Sequence, residues 1–158
     1  MKGLSQPYNI YISLGPIPTD PKTWNTHPNT IGLVAVLSQG TNTGCEKCTA
    51  DIDGRLCITA MVPLTEALME YLKDKRKSLT ELDDDSVEGC LRENLHWRVI
   101  LKNRTEVAKE EVSALKVVVP AAAIRLDENG VPVYEAEPKV FVDVTRGWPA
   151  GCGSVGEV

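Results

Sequence analysis

Apolar and polar positions alternate in short runs along this 158-residue chain, and Pro and Gly break the runs. That is the pattern of β-strands joined by turns. Pro7 to Leu14 alternates and stops at Gly15-Pro16, so it reads as a strand followed by a turn. The proline-rich segment Pro16 to Asn29 reads as a loop crossing the surface. Ile31 to Ser38, apolar and β-branched, predicts a buried strand. Gln39 to Arg55 is a polar loop, and Leu56 to Val62 predicts a further strand. Pro63-Leu64-Thr65-Glu66 opens a helix with Leu64, Leu68 and Leu72 on one stripe, completed by Met61 or Met69. Lys73 to Lys77 closes it with cations that complement the helix dipole. Asp83-Asp84-Asp85-Ser86 is an acidic N-cap cluster leading into a second helix over Val87 to Glu93.

Beyond this helical insertion the period returns to two. Leu95 to Lys102, Ser113 to Val119, Ala122 to Asp127, Val131 to Glu135 and Lys139 to Arg146 predict strands, with Asp127-Glu128-Asn129-Gly130 as a hairpin turn. About seven or eight strands at this spacing predict an antiparallel β-sandwich, immunoglobulin-like in class, forming one domain over residues 1–158.

Composition narrows the function. Lys and Arg number 17 against 22 Asp and Glu, a formal charge of −5, and no basic stripe is interleaved with aromatics, so nucleic acid is excluded as a partner. No apolar run is long enough to span a bilayer, and Met1-Lys2-Gly3-Leu4-Ser5-Gln6-Pro7 lacks the apolar region of a leader. A cytoplasmic location is expected. There the five cysteines would be thiols or metal thiolates, and an odd number cannot all pair within one chain. The sequon Asn103-Arg104-Thr105 is then coincidental. Two histidines, His27 and His96, are too few for a self-contained paired copper centre with six imidazoles.

The strongest chemical feature is Cys45-Glu46-Lys47-Cys48 with Cys57 further on. Two thiolates separated by two residues can converge on one metal, a third can close the site, and Gly44 and Gly54 would let the loop bend around it. Zinc is the expected ion and Cu(I) the soft alternative. The fourth ligand is open: Cys152 in its Gly151-Cys152-Gly153 tail could fold back to supply it, with His96 or Cys90 as alternatives, although Cys90 lies in a helical pattern that suits the core. A redox pair is the competing reading, but Cys-x-x-Cys redox motifs open a helix after a strand, and this one sits in a polar loop. Glu46, held between two ligands, would lie near a bound metal and is a candidate catalytic carboxylate. His27 is a candidate acid or base because its ordinary pKa lies near neutrality. No Gly-x-Ser-x-Gly, phosphate loop or dinucleotide fingerprint is present.

Several segments together resemble one family, the C-terminal β-sandwich domain of tyrosinases, related to the third domain of hemocyanins. They are Ile10-Tyr11-Ile12-Ser13-Leu14-Gly15, Asp20-Pro21-Lys22-Thr23-Trp24, His27-Pro28-Asn29-Thr30-Ile31-Gly32, Val62-Pro63-Leu64-Thr65-Glu66-Ala67-Leu68 and Asn94-Leu95-His96-Trp97-Arg98-Val99. Against the family pattern, nothing upstream is expected to correspond to the copper-binding helical domain, and the family's first strand reads as shortened or absent before Pro7. The resemblance implies a shield for a copper site. In a free-standing chain it implies another role, for which the nearest likeness is a zinc-containing, hemocyanin-like cyclopenase. Such an enzyme contracts a cyclopenin-type benzodiazepine, a small-molecule substrate, to a viridicatin-type quinolone with loss of methyl isocyanate. The alternative implied is a shielding or copper-delivery partner of a tyrosinase-type oxidase.

Overall fold

The computed structural model describes residues 6–37, 58–74, 83–108, 111–112, 115–134, 137–148 and 150–152. Strand β1 (Tyr8–Leu14) lies between β2 (Thr30–Val36) and β3 (Leu95–Leu101), and the short β4 (Glu106–Val107) extends β3, so the order is β2-β1-β3-β4. All pairings are antiparallel, with Ile10 facing Val34 and Val99, and Ile12 facing Gly32 and Trp97. Because side chains alternate between faces, this register collects Tyr8, Ile10, Ile12, Leu14, Val34, Val36, Leu95, Trp97, Val99 and Leu101 on one apolar face.

Two helices close one end of that face: α1 (Thr65–Asp74) and α2 (Asp84–Asn94). Leu68 and Leu72 of the α1 stripe meet Leu14, Cys90, Leu91 and Leu95 in one buried cluster. Ile10, Trp97, Val99, Val107 and Val112 form a second cluster along the same sheet. The later part of the chain builds two small ribbons. Strand β5 (Pro120–Ala121) pairs with β8 (Lys139–Val140), and β6 (Ile124–Leu126) with β7 (Pro132–Tyr134). Val119, Phe141 and Val144 then join the cluster around Leu14. The architecture is mainly β and antiparallel with a few short helices, the class the alternation implies. Among the described residues no helix is long and apolar enough to cross a membrane.

Three segments depart from the expected strands. Residues 58–64 form no strand, and the expected Leu56 to Val62 run begins outside the described residues. Val62 instead sits over Gly32, where an added Cβ would collide with its side chain, so the chain crosses the apolar face of β2 on its way to α1. Residues 115–119 run alongside other segments without forming a strand of their own: the Val117 amide donates to the Ala150 carbonyl at 2.7 Å and the Val119 carbonyl accepts from Phe141 at 2.9 Å. The expected Lys139 to Arg146 strand stops after Val140, and α3 (Val142–Thr145) follows. Phe141, Val144 and Thr145 are all buried, a spacing of three and four that only a helical turn can point one way.

Helix α2 begins as its acidic cluster implies. Asp83 is the N-cap, and its carboxylate accepts the Ser86 amide at 2.9 Å. That bond, with a second from the Ser86 hydroxyl, holds the Asp83 carboxyl below its ordinary value of 3.8. A folded-state pKa lowered in this way gives stability present in full well above 3.8 and lost as pH falls through the lowered value. The stability difference between the native chain and Asp83→Ala, measured by urea unfolding, should therefore be constant near neutrality and shrink in acid; a difference that grows in acid would contradict this cap.

Candidate functional site

At the end of the sheet where β1 leaves and β2 enters, the Pro16 to Asn29 segment crosses the surface of the polar face as expected, most of it exposed and Trp24 turned inward. Pro21–Thr26 form a 3₁₀ turn capped by Asp20, whose carboxylate accepts the Lys22 amide at 3.0 Å, while Thr23 Oγ1 donates to the Asp20 carbonyl at 2.8 Å. Pro21 stands where a free amide is not needed. The turn drives Trp24 to 0% exposure, with its indole N–H donating to the Pro18 carbonyl at 2.7 Å. The ring meets Tyr11 edge to face at 5.6 Å, and the Arg98 guanidinium lies 5.4 Å from its centroid. Glu106 holds Arg98 from the other side at 3.2 Å.

His27 closes this turn. Its amide donates to the Trp24 carbonyl at 3.4 Å, and its Nδ1 accepts the Asn29 amide at 3.2 Å. A ring nitrogen that accepts an amide hydrogen carries no proton of its own, so the neutral imidazole keeps its proton on Nε2. The half-buried His27 therefore offers a hydrogen-bond donor at Nε2.

Behind His27 a polar network ties four elements together. The Asn29 side chain donates to the Pro16 carbonyl at 2.9 Å and the Asn29 carbonyl accepts the Leu14 amide at 2.9 Å. Gly15, at φ 97°, donates to the Asn94 carbonyl at 2.7 Å. Asn94 in turn accepts the Tyr71 hydroxyl at 2.7 Å and donates to the Cys90 carbonyl at 2.8 Å. The Asn94 amide can thus point only one way, with its oxygen toward α1 and its nitrogen toward α2. Single-residue reasoning gave Tyr71, Asn94 and Trp24 no role. The signal that could have found them was the grouping of Gly15, Trp24, Asn29 and Asn94 in the quoted motifs, since Gly15, Asn29 and Asn94 meet here and Trp24 is tied to the same turn through His27.

Cys45, Glu46, Cys48 and Cys57 fall outside the described residues. Cys152 is half-buried as a free thiol, and its amide donates to Thr145 Oγ1 at 3.0 Å. Cys90 is a buried thiol of the core, as its helical position implies. His96 lies edge-on to Trp148 at 5.7 Å, and Trp148 also reaches Trp97 at 5.8 Å. Neighbouring residues of a strand face opposite ways, so a ring close to both His96 and Trp97 stands beside the outer edge of β3, on the stretch that β4 leaves uncovered. Among the described residues no three His, Cys, Asp or Glu side chains gather in a set that could hold a metal ion.

Residues 1–119 match the family model of the tyrosinase C-terminal domain. A tyrosinase of Neurospora crassa is 37% identical over 151 residues, which is 96% of this chain and 22% of the relative. A tyrosinase of Podospora anserina is 41% identical over 73 residues, 43% of this chain and 13% of the relative. The chain thus spans about a fifth or less of the length of these relatives. No solved structure matches.

Proposed function

The chain belongs to the tyrosinase C-terminal domain family, and from that premise we propose that it is a zinc-binding cyclopenase acting in alkaloid biosynthesis. The reaction is a lyase-type ring contraction of a cyclopenin-type benzodiazepine to a viridicatin-type quinolone with loss of methyl isocyanate. The observation that carries this reading is the Cys45-Glu46-Lys47-Cys48 spacing, with Cys57 beyond it, in a chain whose two histidines cannot build a paired copper centre. A soft donor set of Cys45, Cys48, Cys57 and Cys152 suits zinc, and a reducing, cytoplasmic setting keeps such thiols available. If one of its positions stayed open, the ion would supply Lewis-acid polarisation; with four thiolates it would only hold the loop.

Two proton movements fall to the protein's own side chains. A base must take an amide proton from the substrate, and Glu46 is the carboxylate proposed for it. A donor must support the oxygen released on epoxide opening, and His27 has that character because Asn29 fixes the ring proton on Nε2.

A second reading is favoured by the relatives themselves, which are tyrosinases of which this chain spans a small part. In that reading the domain shields a tyrosinase-type copper site or delivers Cu(I) to it. Metal analysis of protein purified without added metal separates the two. The cyclopenase reading expects stoichiometric zinc that is lost on replacing Cys45, Cys48 or Cys57 by Ser, and viridicatin from cyclopenin faster than in buffer alone. Cu(I) binding with transfer to an apo-oxidase, and no turnover of cyclopenin or related benzodiazepines, would overturn it in favour of the second.

A further inference from the structure

The β6–β7 ribbon presents an apolar face. Ile124, Leu126 and Tyr134 are 57, 67 and 66% exposed, and the register places Ile124 opposite Tyr134 and Leu126 opposite Pro132 on the same side. The turn that joins the strands is fixed: Asp127 Oδ1 accepts the Asn129 and Val131 amides at 2.8 Å each, and Gly130 sits at φ 78°. A two-stranded ribbon is marginal in water and its edges invite a further strand. Among the described residues none pairs with either edge.

The two edges differ. The Asp127 amide donates to the Val131 carbonyl at 2.9 Å inside the ribbon, so by alternation the main-chain groups of Leu126 and Ile124 point away from β7. On the opposite edge the outward positions are Tyr134 and Pro132, and Pro132 has no amide to offer. Only the β6 edge can both donate and accept at each of its outward positions, Ile124 and Leu126.

We propose that two copies of this chain pair antiparallel along β6, with the two-fold axis at Leu126. Outward groups must meet outward groups, which leaves three two-fold registers. An axis at Ile124 sets Arg125 against Ala123, and an axis between Ile124 and Leu126 sets Arg125 against Arg125, a like-charge pair. The axis at Leu126 sets Arg125 of each copy against Asp127 of the other, an opposite-charge pair. Leu126 then lies against Leu126, and the four strands form one sheet with both apolar stripes on one side.

Sedimentation of the full chain over a concentration series tests this, with a reversible monomer–dimer equilibrium as the expected result. Leu126→Pro removes the outward amide without touching a bond inside the ribbon and should abolish the dimer with unfolding unchanged. Leu126→Cys should give a disulfide-linked dimer on mild oxidation, joined 126 to 126, because an exchanging antiparallel pair sits about 5.5 Å apart at Cα, within disulfide reach. Ile124→Cys, opposite Glu128, should give no 124-to-124 link. A chain that stays monomeric throughout overturns the proposal, as does a dimer that lacks the 126-to-126 link, even where Leu126→Pro fails to fold.

Discussion

Trp24→Ala is expected to cost about 3–5 kcal/mol of unfolding free energy, the range for deleting a fully buried large aromatic side chain. The loss has three parts: the apolar area of the ring, its edge contact with Tyr11, and the face on which Arg98 rests. The Pro18 carbonyl also loses the indole N–H that satisfies it. Trp24→Phe should recover a large share, since it refills most of the space and restores a ring under Arg98 but leaves that carbonyl unpaired. Equilibrium urea unfolding measures both. A cost below about 1 kcal/mol for Trp24→Ala would mean that the Pro16 to Asn29 segment is not fastened by this residue.

The second large effect is expected at Gly32. A Gly→Ala change within a strand ordinarily stabilises by restricting the unfolded chain. Here the new Cβ would collide with the Val62 side chain, so Gly32→Ala should destabilise by about 1–3 kcal/mol, the range for overpacking a core. Val62→Ala removes the two methyl groups in the way and leaves Val62 Cβ at 3.3 Å from the added atom, close but tolerable. The double variant should therefore be more stable than the sum of the single costs predicts, and the surplus is the coupling between the two sites. Strict additivity would show that residues 58–64 do not cross the sheet at Gly32.

The sharpest limit on sequence reasoning appears in the Pro16 to Asn29 segment. Prolines and polar residues mark it correctly as irregular, yet Trp24 is among the most buried residues of the described chain. Nothing local shows that Pro21 and Asp20 build a turn whose purpose is to aim that indole inward. The same holds for His27, whose donor character depends on the amide of Asn29 two residues on. The Val142–Thr145 turn was hidden because Lys139 to Arg146 fits a period of two as well as one of three or four in so short a run.

By itself the sequence determined the local elements whose signals are written in adjacent residues. The strands β1, β2 and β3 to within a residue or two at their ends, the α1 stripe of Leu68 and Leu72, the Asp83 cap and the Asp127 to Gly130 turn all follow from spacing, capping and backbone preference. It also grouped Gly15, Trp24, Gly32, Val62 and Asn94 into motifs without saying why they belong together. The tertiary structure decided that. Val62 fills the space Gly32 leaves, Asn94 holds Gly15, Tyr71 and Cys90 at one end of the sheet, and Trp24 packs on Tyr11 and Arg98 of its polar face. Contacts between residues tens of positions apart depend on how strands and helices stack, and no window of neighbouring residues contains that information.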